Sequence, residues 1–356
     1  YRIAKSATEK QGAGRSARRW PAAFLETGVE AEAKVAFVDP FQGCEPVTEN
    51  SRFFFEAWWF VGNYHFDYDL SKYGVETAIS AYRKLVVDST HKFYDKGLYK
   101  LAWSYFKADM YPEAIATFSQ VVEFSDAQRT AKGSGMRPEA IQYLAVCFFT
   151  EDWDLDLMPD AETGIERLQN PRYLPADRTW APEVYERLGD IYSDNERNED
   201  AVAVWNLFLQ AWPLALRAPY VQEKIAREYA KMRMAEDEIA ARSALEGFGP
   251  GSAWWQANGD HPATQNEVMR MSRDALLEAA YHFHRTAQSS RQRGLTARDG
   301  YLLERAVAEY NLAAEAYKKF IAQNPDTPDA YDIRFHLAET LFWSGQYAEA
   351  RAVYIR

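Results

Sequence analysis

Apolar side chains recur at three- and four-residue spacing along much of the chain, and this period predicts amphipathic α-helices. Between residues 98 and 122 two such stripes are separated by the turn 108–113, in which Pro112 suits the first turn of a new helix. Ala102 in the first stripe and Ala114 in the second are small, so the two helix backbones can approach closely. The pattern therefore predicts a hairpin of two helices.

The same arrangement returns further along the chain. A small residue of the first helix precedes a small residue of the second by twelve positions in three pairs: Ala102 and Ala114, Gly189 and Ala201, Ala338 and Ala350. Degenerate copies open at Gly62, Ala145, Ala226 and Ala280, and the last of these pairs with Ala313 across a long insertion. The recurrence resembles the tetratricopeptide repeat (TPR), a helix-turn-helix of about 34 residues. That resemblance implies an all-α fold, a right-handed α-solenoid of antiparallel helix pairs with irregular insertions.

Breaks in the repeat pattern divide the chain into four segments. Residues 1–52 show no repeat and are predicted to be irregular, and residues 53–246 form the TPR-like array. Residues 247–262 are rich in Gly and Pro and are predicted to be a junction. Residues 263–356 form a C-terminal TPR-like segment that stops in mid-repeat. Because the chain starts without Met or a signal peptide, we expect it to be part of something longer.

Composition limits the classes of partner that the protein is expected to bind. The formal net charge of −11 argues against nucleic acid or an anionic membrane surface as the main partner, because both need a basic face. No apolar run approaches the roughly 20 residues of a membrane helix.

Cys147 lies in an apolar run and is expected to be a buried thiol, whereas Cys44 lies in a turn. Whether the two cysteines pair stays open.

Catalytic motifs are not found. The sequence has no HExxH, no GxSxG and no Walker lysine loop, and the glycines at 247–251 follow no strand and have no lysine beside them. His282 and His284 are two apart, which places them on different faces of a helix. We therefore predict a protein that is not an enzyme and has no catalytic or cofactor-binding residues.

Tryptophans divide into two groups. Trp58 and Trp205 stand at helix spacing and are expected to fill grooves between repeats. Trp254 and Trp255 lie in the Gly-rich segment, outside any repeat stripe. Two interpretations are open for this pair. In the first, one of the two contributes to a protein interface, where Trp is enriched. In the second, the pair closes over the junction.

An acidic insertion at residues 151–162 carries six carboxylates in twelve residues. Asp152, Asp154, Asp156 and Asp160 occupy relative positions 1, 3, 5 and 9, a spacing that resembles the calcium loops of EF-hand, dockerin and thrombospondin type 3 modules. By that resemblance the backbone carbonyl of Met158 is a further ligand. The ion would be structural, because it would pin an insertion between two helices of one repeat.

Two departures from the calcium pattern leave a second interpretation open. Leu157 stands where these loops normally have Gly, and Thr163 stands where an EF-hand has a bidentate Glu, although Glu162 is adjacent. The alternative is an acidic turn that caps the next helix, with Asp160 near the positive end of that helix.

The repeat pattern favours a non-enzymatic scaffold for protein–protein interaction. Aromatic-rich stretches at 92–105, 249–255 and 341–345 resemble bacterial cell-envelope TPR proteins, including outer-membrane assembly factors and gliding-motility components. That resemblance implies a subunit of an envelope multiprotein assembly, periplasmic or associated with the outer membrane through partners or a missing lipid anchor. A cytoplasmic location is the alternative. Two further functions stay open: a chaperone or secretion adaptor that binds peptides, and the helical part of a larger enzyme.

Overall fold

A computed structural model describes residues 48–49, 51–69, 72–128, 135–175, 177–325 and 330–355. Helices are the only regular secondary structure among these residues, so the predicted all-α class is confirmed. Most of the predicted irregular segment 1–52, including Cys44, lies outside the described residues. The chain divides into two compact units, Tyr1–Arg187 and Leu188–Arg356, and the division falls within one helix.

The first unit is built from successive helix hairpins. Its described helices are α1 Phe54–Asp67, α2 Lys72–Leu85, α3 Tyr94–Lys107, α4 Tyr111–Ala127, α5 Arg137–Phe149, α6 Gly164–Gln169 and the first half of α7 Ala181–Asp194. Gly62 of α1 lies against Tyr82 of α2, where an added Cβ would come within 2.5 Å of the tyrosine ring. Ala102 of α3 and Ala114 of α4 are fully buried, which confirms the close helix approach that the sequence predicts.

The second unit contains the rest of α7 and eight more described helices. They are α8 Asn198–Ala211, α9 Ala218–Lys231, α10 Ala235–Ser243, α11 Ala253–Ala257, α12 Pro262–Ala297, α13 Gly300–Gln323, α14 Ala330–Trp343 and α15 Tyr347–Tyr354. A 3-10 helix, Ala244–Phe248, follows α10. Gly189 of α7 lies directly under the indole of Trp205. Trp205 is buried there, as expected for a groove-filling residue, and so is Trp58 in the first unit.

Four hairpins use the same turn between their helices. The residue seven positions after the small residue of the first helix has a positive φ in each: Asp109, Glu196, Arg233 and Gly345. The next backbone N–H donates back to a carbonyl of the first helix, as in Met110 N to Tyr105 O at 3.0 Å and Met234 N to Tyr229 O at 2.9 Å. This shared turn shows that the degenerate copy at Ala226 has the same construction as the three clear repeats.

The long insertion predicted between Ala280 and Ala313 is helical. α12 and α13 continue through it for 36 and 24 residues and pack side by side as one extended hairpin. Small buried residues let the two helices approach, because a Cβ on Gly294 would come within 2.9 Å of Leu303. The insertion therefore lengthens a repeat and does not interrupt it.

Trp254 belongs to the core of the second unit. It is 2% exposed, it packs edge-on against Phe248, and its Nε1 donates to the carbonyl of Ala215 at 2.7 Å. Trp255 is half-buried. In the first unit Cys147 is buried, and burial raises the pKa of its thiol. Cys147 is a free cysteine, and Cys44 lies outside the described residues.

Candidate functional site

The acidic insertion follows α5 directly and brings three of the predicted calcium ligands together. One carboxylate oxygen each from Asp152, Asp154 and Asp156 lies within 4.8 Å of the others. The backbone turns tightly around them, since Leu157 N donates to Asp152 at 3.0 Å and Met158 N donates to Asp156 at 2.8 Å. Leu157 has a φ of 69°, the left-handed conformation for which calcium loops normally use glycine.

Asp160 has a different role from the other predicted ligands. Its Oδ2 accepts a hydrogen bond from Trp153 N at 3.0 Å and forms an ion pair with Arg167 of α6. Arg167 is 2% exposed and also donates to the carbonyl of Thr150 at 3.0 Å. Asp160 thus fastens the insertion to α6, and α6 itself is capped by Thr163 and Glu166 in a capping box.

The structure therefore supplies part of the predicted calcium set. Three convergent carboxylates provide the hard oxygens that calcium prefers. Asp160 pairs with Arg167 through Oδ2, and Met158, whose backbone carbonyl is the remaining predicted ligand, lies on the same tight turn. The pKa of Asp154 is raised: the N–H of Asp156 stabilises the carboxylate, but partial loss of hydration and the negative charges of Asp156, Asp160 and Asp152 outweigh it.

Half-buried aromatic rings form a continuous strip beside this loop. Ring centroids are 6.4 Å apart for Tyr99 and Trp103, and 4.1 Å for Trp103 and Tyr143. The path continues from Tyr143 to Phe106 at 5.5 Å. We call the full set the aromatic strip, and its members are Tyr99, Trp103, Phe106, Tyr111, Tyr143, Trp153 and Tyr173.

The strip runs from α3 and α5 to the acidic loop. Phe106 contacts Tyr111 at 5.9 Å, Tyr111 stacks on Trp153 at 5.7 Å, and Trp153 meets Tyr173 at 5.3 Å. Tyr111 is buried, and the other members are half-buried. Because Trp153 lies between Asp152 and Asp154 in the chain, the aromatic strip and the carboxylate cluster adjoin each other.

Carboxylates also accept hydrogen bonds from the hydroxyls of the strip. Burial and a hydrogen bond to Glu139 raise the pKa of Tyr99 to about 12. Burial and a hydrogen bond to Asp109, at 3.0 Å, raise the pKa of Tyr111 to about 12. Both hydroxyls are therefore protonated at neutral pH, and the strip is bordered by negative charge.

Arginine side chains of the chain itself already lie on the strip, and the guanidinium carbon of Arg172 is 5.8 Å from the ring centroid of Tyr173. The guanidinium carbon of Arg167 is 4.1 Å from the ring centroid of Trp153 while Arg167 pairs with Asp160. A guanidinium can stack on an aromatic face and bind a carboxylate at the same time. This arrangement is an example within the chain of a guanidinium bound by a ring and a carboxylate together.

Sequence reasoning missed the aromatic strip because it treated large aromatics as groove fillers. The signal was present, since Tyr99, Trp103 and Phe106 follow 4–3 spacing and form a second stripe on α3. A helix with two apolar stripes has one to bury in its own hairpin and another to present to a neighbour or partner. The stripe of Leu98 and Leu101 is the buried one.

His282 and His284 lie apart on α12, as expected from their spacing. His284 is buried, with Nδ1 3.3 Å from the Tyr317 hydroxyl and its ring 5.5 Å from that of His336. His282 is half-buried and contacts Thr286. No helix in the described part of the chain combines the length and apolar character needed to cross a bilayer.

Comparison with known proteins supports a repeat in the first unit. A family model described as "Tetratricopeptide repeat" matches residues 96–124, which is most of the α3–α4 hairpin. TPR repeats generally mediate protein–protein interaction. No curated protein matches the chain.

Two similar solved structures contain the nearly identical TPR-like repeats assigned to a Podosopora anserina kinesin light chain. The first is 15% identical, with 74% of this chain and 93% of that chain covered and a TM-score of 0.23. The second, a point variant of the same repeats, is 15% identical, with 72% and 90% covered and a TM-score of 0.23. These values are too low for the likeness to add to what the helix pairs of this chain show.

Proposed function

We propose that this chain is a non-enzymatic protein-binding scaffold that uses the aromatic strip as its contact surface. The observation that carries the proposal is the second stripe of α3. Tyr99, Trp103 and Phe106 are only half-buried inside the hairpin that matches the TPR model. Aromatic residues with exposed faces are enriched at the centres of protein interfaces, where they supply much of the binding energy.

Copurification tests the scaffold function. The tagged chain is isolated from its source cells, and partners are quantified by mass spectrometry after cross-linking. We expect a stoichiometric partner that is lost in the double variant Tyr99→Ser/Phe106→Ser and retained in the control Tyr301→Ser/Tyr331→Ser, whose side chains are 71% and 80% exposed in the second unit. Isolation of the wild-type chain as a free monomer with no stoichiometric partner would overturn the proposal.

We further propose that the scaffold belongs to a bacterial envelope assembly, in the periplasm or at the outer membrane. This proposal is supported by the aromatic-rich stretches at 92–105, 249–255 and 341–345, which resemble those of envelope TPR proteins. Fractionation of source cells tests it. Recovery of the chain with outer-membrane and periplasmic markers is expected, and recovery with cytoplasmic markers would support the cytoplasmic alternative.

We also propose structural calcium at the acidic insertion, as the Asp spacing predicts. The convergence of Asp152, Asp154 and Asp156 supports it, and the pairing of Asp160 with Arg167 reduces the ligand set. Calcium would add rigidity to a segment that Asp160 already fastens at one end.

A further inference from the structure

The aromatic strip and the acidic loop together define the chemistry of a partner. We propose that they bind an extended, arginine-containing peptide segment of a partner protein. The inference rests on the proposed scaffold function and specifies which kind of segment the scaffold recognises. Three observations carry it: the half-buried rings, the surrounding negative charge and the position of Arg167.

The rings provide stacking surfaces at several successive points. Six members of the strip are half-buried, so the strip as a whole retains some solvent-accessible surface. Their contacts are continuous from Tyr99 to Tyr173, along α3, α4 and α5, the loop that follows α5 and the segment that follows α6. A path of this kind suits an extended segment that places side chains on one ring after another. A compact ligand would use only one part of it.

The charge around the strip selects a cationic segment. Asp154 and Asp156 are exposed at one end, Glu139 is exposed near Tyr99, and Asp109 lies beside Tyr111. One carboxylate oxygen each from Asp152, Asp154 and Asp156 lies within 4.8 Å of the others, so these groups repel one another, and a bound cationic side chain relieves that repulsion. An acidic or neutral segment gains nothing from these groups, and an acidic one is disfavoured by the like charge.

Arg167 distinguishes arginine from lysine. Its guanidinium lies over Trp153 at 4.1 Å and pairs with Asp160, so one planar cation uses a ring and a carboxylate together. A guanidinium fits this combination because it is planar and binds carboxylates in a bidentate manner, whereas an ammonium group is a strongly hydrated point charge.

Fluorescence anisotropy with defined peptides tests the inference. The probe is a labelled peptide of repeated Gly-Arg-Pro triplets, compared with the same peptide carrying Lys or Glu in place of Arg. Chelator is present throughout so that calcium cannot compete for the carboxylates. We expect saturable binding of the Arg peptide, about fivefold weaker binding of the Lys peptide and no binding of the Glu peptide.

Matched variants locate the site. Asp154→Asn/Asp156→Asn changes exposed carboxylates and is expected to weaken the Arg peptide about tenfold. The control Asp237→Asn/Asp260→Asn removes the same charge from exposed positions in the second unit and is expected to have little effect. Trp103→Leu keeps an apolar side chain but removes a stacking face, so it is expected to weaken binding of the Arg peptide. Trp343→Leu is its control. Melting curves verify that each variant is folded.

Two results would overturn the inference. One is equal binding of the Arg, Lys and Glu peptides, or no binding of any, by the folded wild-type chain. The other is an equal loss in the loop variant and its charge-matched control, which would indicate non-specific attraction to a chain of net charge −11. If peptide binding fails while a stoichiometric partner still copurifies, the inference is wrong and the scaffold function stands. If no partner copurifies, the scaffold function itself fails.

Discussion

At the scale of single residues, His284 makes the second unit sensitive to acid. Its ring is enclosed by Tyr317 and Tyr310 of α13, by His336 and Glu339 of α14, and by Gln288 one turn along α12. Burial and the neighbouring His336 lower the pKa of His284, and Glu339 opposes them only in part. The folded state therefore holds His284 neutral at a pH where the unfolded chain already binds a proton.

The sign of the pH effect follows from this difference. The unfolded histidine has a pKa of about 6.5, so below that value the unfolded state binds more protons than the folded state. The stability contributed by neutral His284 is present above about pH 6.5 and is lost as the pH falls, by up to about 1.4 kcal/mol per unit. We expect urea unfolding of His284→Gln to depend less on pH in this range than the wild type.

His282→Gln is the matched control for this measurement, because His282 is on the same helix and only half-buried. It should retain the pH dependence of the wild type. An unchanged slope in His284→Gln would show that another group causes the acid sensitivity.

At the scale of elements, the shared turn stores strain in three of its four copies. Asp109, Glu196 and Arg233 adopt φ values of 55°, 61° and 59°, whereas the fourth copy has Gly345 at 85°. The left-handed region costs a non-glycine residue roughly 1–2 kcal/mol. The conformation persists because the turn satisfies carbonyls at the end of each first helix.

Glycine at these turn positions should stabilise the chain. We expect Glu196→Gly and Arg233→Gly each to raise the free energy of unfolding by up to about 1 kcal/mol, after the greater backbone entropy of glycine in the unfolded state is allowed for. Asp109 is a poorer site because its carboxylate accepts a hydrogen bond from Tyr111. Gly345→Ala is the reverse control. The added Cβ would meet open space, so backbone strain alone would lower the stability of this variant. Denaturant unfolding measures all three variants.

Calcium binding by the acidic loop can be measured by thermal unfolding. If calcium binds there, the melting temperature should rise with calcium relative to chelator, because a ligand that binds only the folded state stabilises it. Asp154→Asn should abolish the calcium-dependent rise, and Asp237→Asn should leave it intact. Identical melting with calcium and with chelator would refute the calcium proposal and favour the acidic turn, in which Asp160 and the capping box suffice.

The sequence predicted the hairpins well because their signal is local. Two small residues twelve positions apart, one on each helix, already determine which helix faces meet. The buried Ala102 and Ala114 confirm it. The extended α12–α13 hairpin was harder to predict, because its insertion packs through small and polar buried residues such as Ser290 and Gly294. These residues give little apolar periodicity, so the helical continuation was not recognised.

The candidate site was predictable only in part for a related reason. Asp spacing identified the group of Asp152, Asp154 and Asp156, because they are neighbours in the chain. It did not predict that Asp160 turns to Arg167, seven residues further on. The aromatic strip needs contacts between α3, α5 and the loop, and such contacts depend on how hairpins stack. Spacing within one helix does not contain that information.

At the scale of the whole molecule, the helices of the described residues pack mainly against their neighbours in sequence. In arrays of this kind stability is approximately a sum of repeat and neighbour-interface contributions, so a local perturbation has a local effect. Gly62 and Gly189 provide matched perturbations, one in each unit, since an added methyl group at either would overlap Tyr82 or Trp205 respectively. Overpacking of this kind typically costs about 1–3 kcal/mol.

Hydrogen exchange on Gly62→Ala and Gly189→Ala tests whether the chain behaves in this way. Gly62→Ala should accelerate amide exchange in α1 and α2, with a smaller effect in α3, and should leave α12–α15 at wild-type rates. Gly189→Ala should accelerate exchange in α7 and α8 first. Equal acceleration through every helix in both variants would mean that the chain unfolds as one cooperative body. Acceleration confined to the neighbouring hairpins means that a partner could stabilise one hairpin without ordering the rest, and a scaffold with several contact surfaces needs that independence.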